Sequence, residues 1–203
     1  MKNYIYTLLV LCILFSSSCV PRPSTVALFN VETYIRPYQT QFEDTLIIVL
    51  DESISNDFEV RDNFRAMKVK DFRKSLTLSL YYTFKNSFKE VRFQEQPSDS
   101  NLSLHLFRIR PGWKIQSIND YTYMAGDVAV NGSTFYLSSL FRYDGILYRN
   151  GEKVRILDDE IVSEKVVANI RQWDEAFKDG VREMCEQLYK VLAEDQEAFL
   201  TKK

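Results

Sequence analysis

The chain has 203 residues, a length that fits one ordinary domain. Its 26 basic and 28 acidic side chains nearly balance, and the pI is about 5.6. No stripe of basic residues is present, so the sequence excludes nucleic acid as an expected partner.

The N-terminal segment has the three parts of a secretory signal. Met1–Asn3 is short and positive, Tyr4–Phe15 is almost wholly apolar, and Ser16–Ser18 are small residues that precede Cys19. The apolar run is shorter than the roughly 20 residues that a membrane-spanning helix needs. We therefore predict a signal peptide over residues 1–18.

Cys19 directly follows the small residues, and this arrangement resembles the bacterial lipobox. In that pathway the cysteine thiol receives a diacylglycerol, and the signal is cut just before the cysteine. Ser16 stands where the lipobox usually has leucine, and ordinary cleavage after Ser18 is the alternative. We predict lipidation of Cys19, with residues 19–25 as a lipidated tether to the domain.

Cysteine usage agrees with this processing. The three cysteines are Cys12 in the signal, Cys19, and Cys185 near the C-terminus. Only Cys185 would stay free in the mature chain, so no internal disulfide is expected. Cys185 lies beside an apolar stripe, which favours a buried structural thiol over a nucleophile.

The first half of the predicted domain, which spans residues 26–195, contains a buried strand and a helix. Thr45–Leu50 is a short apolar run between aspartates, which is typical of a central strand. A helix is predicted over residues 69–91. Its apolar stripe recurs at four-residue spacing and consists of Phe72, Leu76, Leu80, Phe84 and Phe88.

The second half is predicted to be mostly strands. A strand over residues 102–110 is expected to end at Pro111-Gly112, and 113–124 to be irregular. Asn131-Gly132 is interpreted as a turn before a strand over 135–148. Asn150-Gly151 then predicts a tight type I′ hairpin, because both central residues of that turn need positive φ. The returning strand is predicted over 153–162.

A C-terminal helix is predicted over residues 169–194, followed by a polar tail over 196–203. Gly180 lies inside this helix, where glycine costs about 1 kcal/mol relative to alanine. Close packing of the helix on the sheet would explain it. The order of elements predicts an α+β fold, an antiparallel sheet with two amphipathic helices packed on one face, after the N-terminal signal peptide.

The search for catalytic or metal-binding residues finds little. His105, the one histidine, alternates with Leu104 and Leu106 and is expected on the opposite sheet face, whereas a zinc site needs three or four ligands. Asp158–Glu160 is an acidic run interpreted as a polar turn or bulge. No nucleophile elbow, P-loop or dinucleotide fingerprint occurs. We therefore expect no enzyme, no metal and no cofactor.

An aromatic stretch is the candidate contact surface. Trp113, Tyr121 and Tyr123 lie in a segment that also contains Arg110 and Met124, and tryptophan, tyrosine and arginine are enriched at binding hot spots. These three residues are the predicted partner contact. The alternative is that their rings only cover the open face of the sheet.

The layout as a whole resembles small Gram-negative envelope lipoproteins, namely the YajG type and the auxiliary lipoproteins of ABC-type intermembrane transport systems. The resemblance is carried by the lipobox, the early apolar strand, the segments FRKSLTLSLYYTFKNSFKEVRF and SNLSLHLFRIR, and the C-terminal WDEAFKDGVREMCEQLYKVL. It implies a non-catalytic accessory role with an envelope protein as partner and a membrane contact through the N-terminal lipid.

Location and alternatives follow from the same residues. Val20 is not the aspartate associated with inner-membrane retention, so we expect the outer membrane, with the domain facing the periplasm. A lipoprotein that itself binds a small apolar or lipidic ligand is the first alternative. An envelope hydrolase is the second.

Overall fold

The computed structural model describes residues 24–27, 42–61, 66–99, 101–125, 128–167 and 173–201, with side chains omitted at 24–27, 61, 66–67, 113–125, 128–137, 164–167 and 173–174. The described elements are eight strands and two helices. They are β1 Ser24–Ala27, β2 Phe42–Leu50, β3 Phe58–Arg61, β4 Ala66–Lys70, α1 Phe72–Phe84, β5 Phe88–Gln94, β6 Leu102–Ala125, β7 Val128–Arg149, β8 Glu152–Val167 and α2 Trp173–Leu200.

The larger sheet has the strand order β5-β2-β6-β7-β8. Strand β2 is parallel to both β5 and β6, whereas β7 is antiparallel to both of its neighbours, β6 and β8. The fold is α+β as predicted, but the prediction of an antiparallel sheet is wrong, because the sheet is mixed. The connection from β2 to β5 contains β3, β4 and helix α1, and parallel neighbours require a long crossover connection of this kind.

A second, three-stranded sheet has the order β1-β4-β3. Strand β1 is parallel to β4, and β3 is antiparallel to it. The ring of Phe58 in β3 meets the Phe72 ring edge-on at 5.0 Å and lies 6.2 Å from the Phe177 ring. The small sheet therefore packs against both helices.

Helix α1 buries the predicted stripe but is shorter than expected. Phe72, Leu76, Leu80 and Phe84 are fully buried and share one core with Leu46 and Ile48 of β2. Phe88 also fits the four-residue spacing, yet it begins strand β5, opposite Phe42. Pairing of β5 with β2 overrides the helical pattern, so the predicted helix end at residue 91 is wrong.

Helix α2 lies very close to β7. The Ser139 hydroxyl donates a hydrogen bond to the Ala176 carbonyl over 2.8 Å. A Cβ atom on Gly180 would lie 2.5 Å from Cε2 of Phe141 and 2.6 Å from Oγ of Ser139. These contacts confirm that Gly180 permits close packing. The core joins residues of both helices to one sheet face, which confirms that they share it.

Helix α2 also continues past its predicted end. It runs to Leu200, and Gln196, placed in the predicted polar tail, is almost fully buried. At the other end, Ser24 and Thr25, placed in the predicted tether, belong to β1. Helix ends are the least certain part of a pattern, because the last polar turns resemble a tail.

The Asn150-Gly151 turn is confirmed. Asn150 has a φ of 51° and Gly151 a φ of 79°, the positive values that this turn requires. The turn joins β7 to β8, with Arg149 opposite Glu152.

Strands β6 and β7 are much longer than predicted. Pro111 and Gly112 do not end β6, Asn131 and Gly132 pair with Thr122 and Tyr121 inside the ladder, and the stretch 113–124 is strand. The acidic run Asp158–Glu160 lies within β8 and is not a turn. Pro111 is tolerated because β2 pairs with β6 only up to Leu106, which leaves that edge of β6 without a described neighbour.

The number of paired strands therefore decreases from one end of the sheet to the other. Among the described strands, five pair near Leu102–Leu106, three pair from Arg108 to Ser117, and two, β6 and β7, pair from Asn119 to Ala125. We call this last part, Asn119–Ala125 with Val128–Thr134, the ribbon tip. Seven residues of strand span about 23 Å. Ser139 contacts the first turn of α2, so the tip lies beyond the described start of that helix.

Candidate functional site

Cys19, the predicted lipidation site, lies outside the described residues, so its acylation remains a prediction. The first described residue, Ser24, follows it by five positions and begins β1. Neither of the two described helices is long and apolar enough to cross a membrane.

The predicted contact residues do not all share one face. Trp113 and Tyr121 are eight positions apart, and strict alternation along β6 would put them on the same side. The register places Trp113 opposite Ser139 and Tyr121 opposite Gly132, which are seven positions apart in β7 and so face opposite ways. A β-bulge between Ser117 and Asn119 inserts the extra residue that causes the exchange.

The two faces of the ribbon tip differ in composition. Tyr121 and Tyr123 pair with Gly132 and Val130, and Ala125 pairs with Val128. The other face carries the pairs Asp120–Ser133 and Thr122–Asn131, followed by Met124 with Ala129. Ser139 defines the side covered by α2, because its hydroxyl bonds that helix. By register, the positions of Tyr121 and Tyr123 therefore belong to the side of the sheet that is turned away from the helices.

His105 lies on the sheet face opposite its buried neighbours Leu104 and Leu106, as predicted. Its Nε2 is 4.0 Å from Oδ2 of Asp51, too long for a hydrogen bond, and its ring meets Phe107 edge-on. The backbone N–H of Ser53 donates to Asp51 over 2.8 Å and holds the pKa of that carboxyl below its usual range. His105 and Asp51 are therefore neighbours at the sheet surface without a direct hydrogen bond.

The acidic run in β8 is divided between the two faces of the strand. Asp158 pairs with Arg142 at 3.2 Å, and Asp159 accepts a weak bond from Gln187 of α2 at 3.4 Å. Alternation separates these carboxylates, so they do not converge on one point. Among the described residues, no three histidine, cysteine or acidic side chains come together as metal ligands.

Cys185 is completely buried in the core, where its thiol lies beside Thr83 of α1. Burial raises the pKa of its thiol to about 12, because no water is available to solvate a thiolate. A neutral, enclosed thiol is neither a nucleophile nor a metal ligand. This placement agrees with the predicted structural role.

We expect Cys185 to resist alkylation in the folded protein. With its pKa near 12, the thiolate is scarce at pH 8, and burial blocks the reagent as well. Labelling with iodoacetamide, followed by intact-mass measurement, should show no adduct at Cys185 until denaturant unfolds the domain. Complete labelling of the native protein within minutes would contradict the burial.

An open cleft lies beside the Asn150-Gly151 turn, where no motif predicted one. Its volume is about 550 Å³, and its lining residues are Arg149, Asn150, Glu152, Val154, Asp195, Ala198 and Phe199. The Arg149 side chain is only 10% exposed. Its guanidinium lies 2.7 Å from Asp195, 3.5 Å from Asp44 and 4.0 Å from the Phe199 ring centroid. The lining residues come from two segments that are distant in sequence, and Asp44, which pairs with Arg149, belongs to a third, so no local pattern indicates the cleft.

Comparisons with known proteins find structures of similar architecture but no family. No family model matches the chain, and no curated protein matches its sequence. Protein XCC0632 from Xanthomonas campestris, a DUF330 protein, is 11% identical, with 86% of this chain and 98% of that chain covered and a TM-score of 0.49.

Two further solved structures are also similar to this chain. A neuraminyllactose-binding hemagglutinin homologue from Helicobacter pylori is 12% identical, with 86% and 99% covered and a TM-score of 0.48. A minor lipoprotein from Acinetobacter baumannii is 9% identical, with 75% and 94% covered and a TM-score of 0.43. All three TM-scores are below 0.5, so these likenesses assign no function to the chain.

Proposed function

We propose that this chain is an outer-membrane lipoprotein whose domain is a non-catalytic binding module of an envelope assembly or transport complex. Acylated Cys19 holds the domain at the membrane, and the domain faces the periplasm. The observation that carries the binding role is the ribbon tip. It extends past the pairing of every other described strand and places Tyr121 and Tyr123 together on one face.

The chemistry of the tip supports recognition of a protein. Residues 115–141 contain two charged residues, Asp120 and Asp127, in a chain that is 27% charged overall. Charged residues are depleted in the centres of protein interfaces and aromatic residues are enriched there. A two-stranded ribbon is only marginally stable alone, and a partner that covers one face would stabilise it.

Site-specific photo-crosslinking in cells tests this role. A photoreactive amino acid at Tyr123 should crosslink an envelope protein, because this position lies on the same face of the ribbon tip as Tyr121, and that face has no charged residue. The same amino acid at Thr122 is the matched control, since Thr122 lies one residue away on the opposite face. The proposal fails if neither position yields a protein adduct, or if both yield the same adducts with equal efficiency.

The cleft beside Arg149 supports a second candidate, a lipoprotein that binds a small amphiphilic molecule. Its volume of about 550 Å³ lies within the range of small-molecule sites, and it combines the Phe199 ring with charged groups. Native mass spectrometry after gentle extraction should then show a bound mass that Phe199→Ala removes. An unliganded wild-type domain would rule this candidate out.

A further inference from the structure

The exposed side of α1 and the adjoining strand β5 combine aromatic rings with lysines. Lys74, Leu78, Tyr81 and Lys85 recur at spacings of four, three and four residues, so they lie along one face of the helix. Phe72, Leu76, Leu80 and Phe84 occupy the buried face opposite. We define the α1 face as Lys74, Leu78, Tyr81, Tyr82, Lys85, Lys89 and Phe93.

The rings of this face are open to solvent. Tyr81 is 41% exposed, Tyr82 49% and Phe93 36%. Tyr81 meets Tyr82 edge-on at 5.6 Å, and the Lys85 ammonium lies 4.4 Å from the centroid of the Tyr82 ring. Phe93 pairs with Ile48, whose side chain belongs to the core beneath α1, so Phe93 lies on the same side of the sheet as the helix.

The lysines of this face keep their charge available. Lys74, Lys85 and Lys89 are exposed, and among the described residues none lies within salt-bridge distance of a carboxylate, although Lys89 is near enough to Glu90 to help Arg92 lower the pKa of that carboxyl. The two nearby arginines, Arg73 and Arg92, already bind other groups of the protein. Arg73 donates to the carbonyls of Leu50, Asp51 and Ile54, and Arg92 pairs with Glu90 at 2.7 Å.

The charge of this region contrasts with that of the other helix. Residues 72–94 contain five basic residues and one acidic residue, whereas α2 contains eight acidic and three basic residues. The nearly neutral chain therefore carries opposite net charges in these two regions. An anionic surface attracts the α1 face and repels α2, so it would orient the domain as well as hold it.

We propose that the α1 face lies on the surface of an anionic lipid membrane. Exposed lysines near such a surface each contribute about fivefold to binding, and tyrosine rings favour the membrane–water interface. The apolar side of α1 is buried in the protein core, so the helix can meet a membrane only through its exposed lysines and tyrosines, at the level of the headgroups. Five residues from Cys19 to Ser24 span at most about 18 Å, so an acylated Cys19 would keep the domain within reach of the headgroups.

The contact does not require the acyl group, but it adds to the proposed function by giving the domain one orientation on its membrane. Recognition is by lipid phosphates in a surface, with the tyrosine rings at headgroup depth. The ribbon tip is a separate surface and stays available to a protein partner.

Lysine acetylation on vesicles tests the orientation. The processed protein is purified from its host membrane and reconstituted into protein-free vesicles of phosphatidylcholine, alone or mixed with phosphatidylglycerol. We expect acetylation of Lys74, Lys85 and Lys89 to slow severalfold on the mixed vesicles only, because lysines that contact lipid phosphates are withheld from the reagent. Lys178 and Lys190 of α2 are the internal control, and their rates should not change.

Two charge-reversal double variants test whether the lysines of the α1 face cause the protection. Lys74→Glu with Lys85→Glu should abolish the protection of Lys89, whereas Lys178→Glu with Lys190→Glu should leave it intact. All four positions are at least partly exposed, so neither variant disturbs the core.

Three results would overturn the inference. They are equal acetylation on both kinds of vesicle, equal slowing of all five lysines, and protection that appears only in native membranes and not in protein-free vesicles, which would make the face a protein interface. The same mass spectra report whether Cys19 is acylated, so failure of the proposed anchor is seen separately.

Discussion

Gly180→Ala should destabilise the domain by about 2 kcal/mol, although the same change in an ordinary helix stabilises by about 1 kcal/mol. The reason is the approach of α2 to β7. The new Cβ would lie 2.5 Å from Phe141 and 2.6 Å from the Ser139 hydroxyl, so the helix must move away. That shift also weakens the hydrogen bond from Ser139 to Ala176. Urea denaturation followed by circular dichroism measures the change.

A second substitution distinguishes steric conflict from other causes. Phe141→Leu removes ring atoms that the new methyl group would touch, and it costs stability by itself because Phe141 is buried. The Phe141→Leu change should therefore cost at least about 1 kcal/mol less in the Gly180→Ala protein than in the wild type. Stabilisation by Gly180→Ala would show that the close packing is incorrect.

Cys19→Ser should move nearly all of the protein from the membrane fraction to the soluble fraction. Two or more acyl chains anchor stably, whereas a serine carries none and the remaining contacts are weak and reversible. Fractionation of cells with an antibody to the domain measures the change, and intact mass reports the loss of the lipid.

Cys12→Ser is the matched control, because Cys12 lies in the predicted signal and should be removed with it. Its membrane fraction should equal that of the wild type. If the α1 face also binds lipid, the Cys19→Ser protein should show residual binding to anionic vesicles that salt removes. Salt-resistant membrane association of Cys19→Ser would contradict lipid anchoring at this residue.

Local patterns predicted the features that local chemistry determines. Asn150-Gly151 gave the hairpin, because positive φ is a property of those two residues. The stripe from Phe72 to Phe84 gave helix α1, and Gly180 gave the close contact of α2. Sheet order could not be predicted in this way, because it depends on which distant strands pair.

The errors have one physical origin. Pro111-Gly112 and Asn131-Gly132 have the composition of turns, yet the long ladder between β6 and β7 runs through both. Phe88 fits a helical stripe, yet pairing with β2 makes it a strand residue. In each case a distant strand supplies hydrogen bonds that outweigh a local preference.

The residues that form each candidate surface could not be predicted from local sequence either. Tyr121 and Tyr123 were grouped with Trp113 by sequence proximity, and one bulge places Trp113 on the other face. The cleft beside Arg149 joins residues near positions 44, 149 and 195, so only the tertiary structure reveals it.

The acidic run of β8 affects whether two copies of the chain can pair through their sheet edges. Within the described part of the fold, β8 is an outer strand with β7 as its one neighbour, so its far edge could pair with a strand of another molecule. Asp158, Asp159 and Glu160 make such pairing unfavourable by electrostatic repulsion. Anchoring confines molecules to a plane and raises their collision frequency, so these three carboxylates would help the chains to stay dispersed on a crowded membrane.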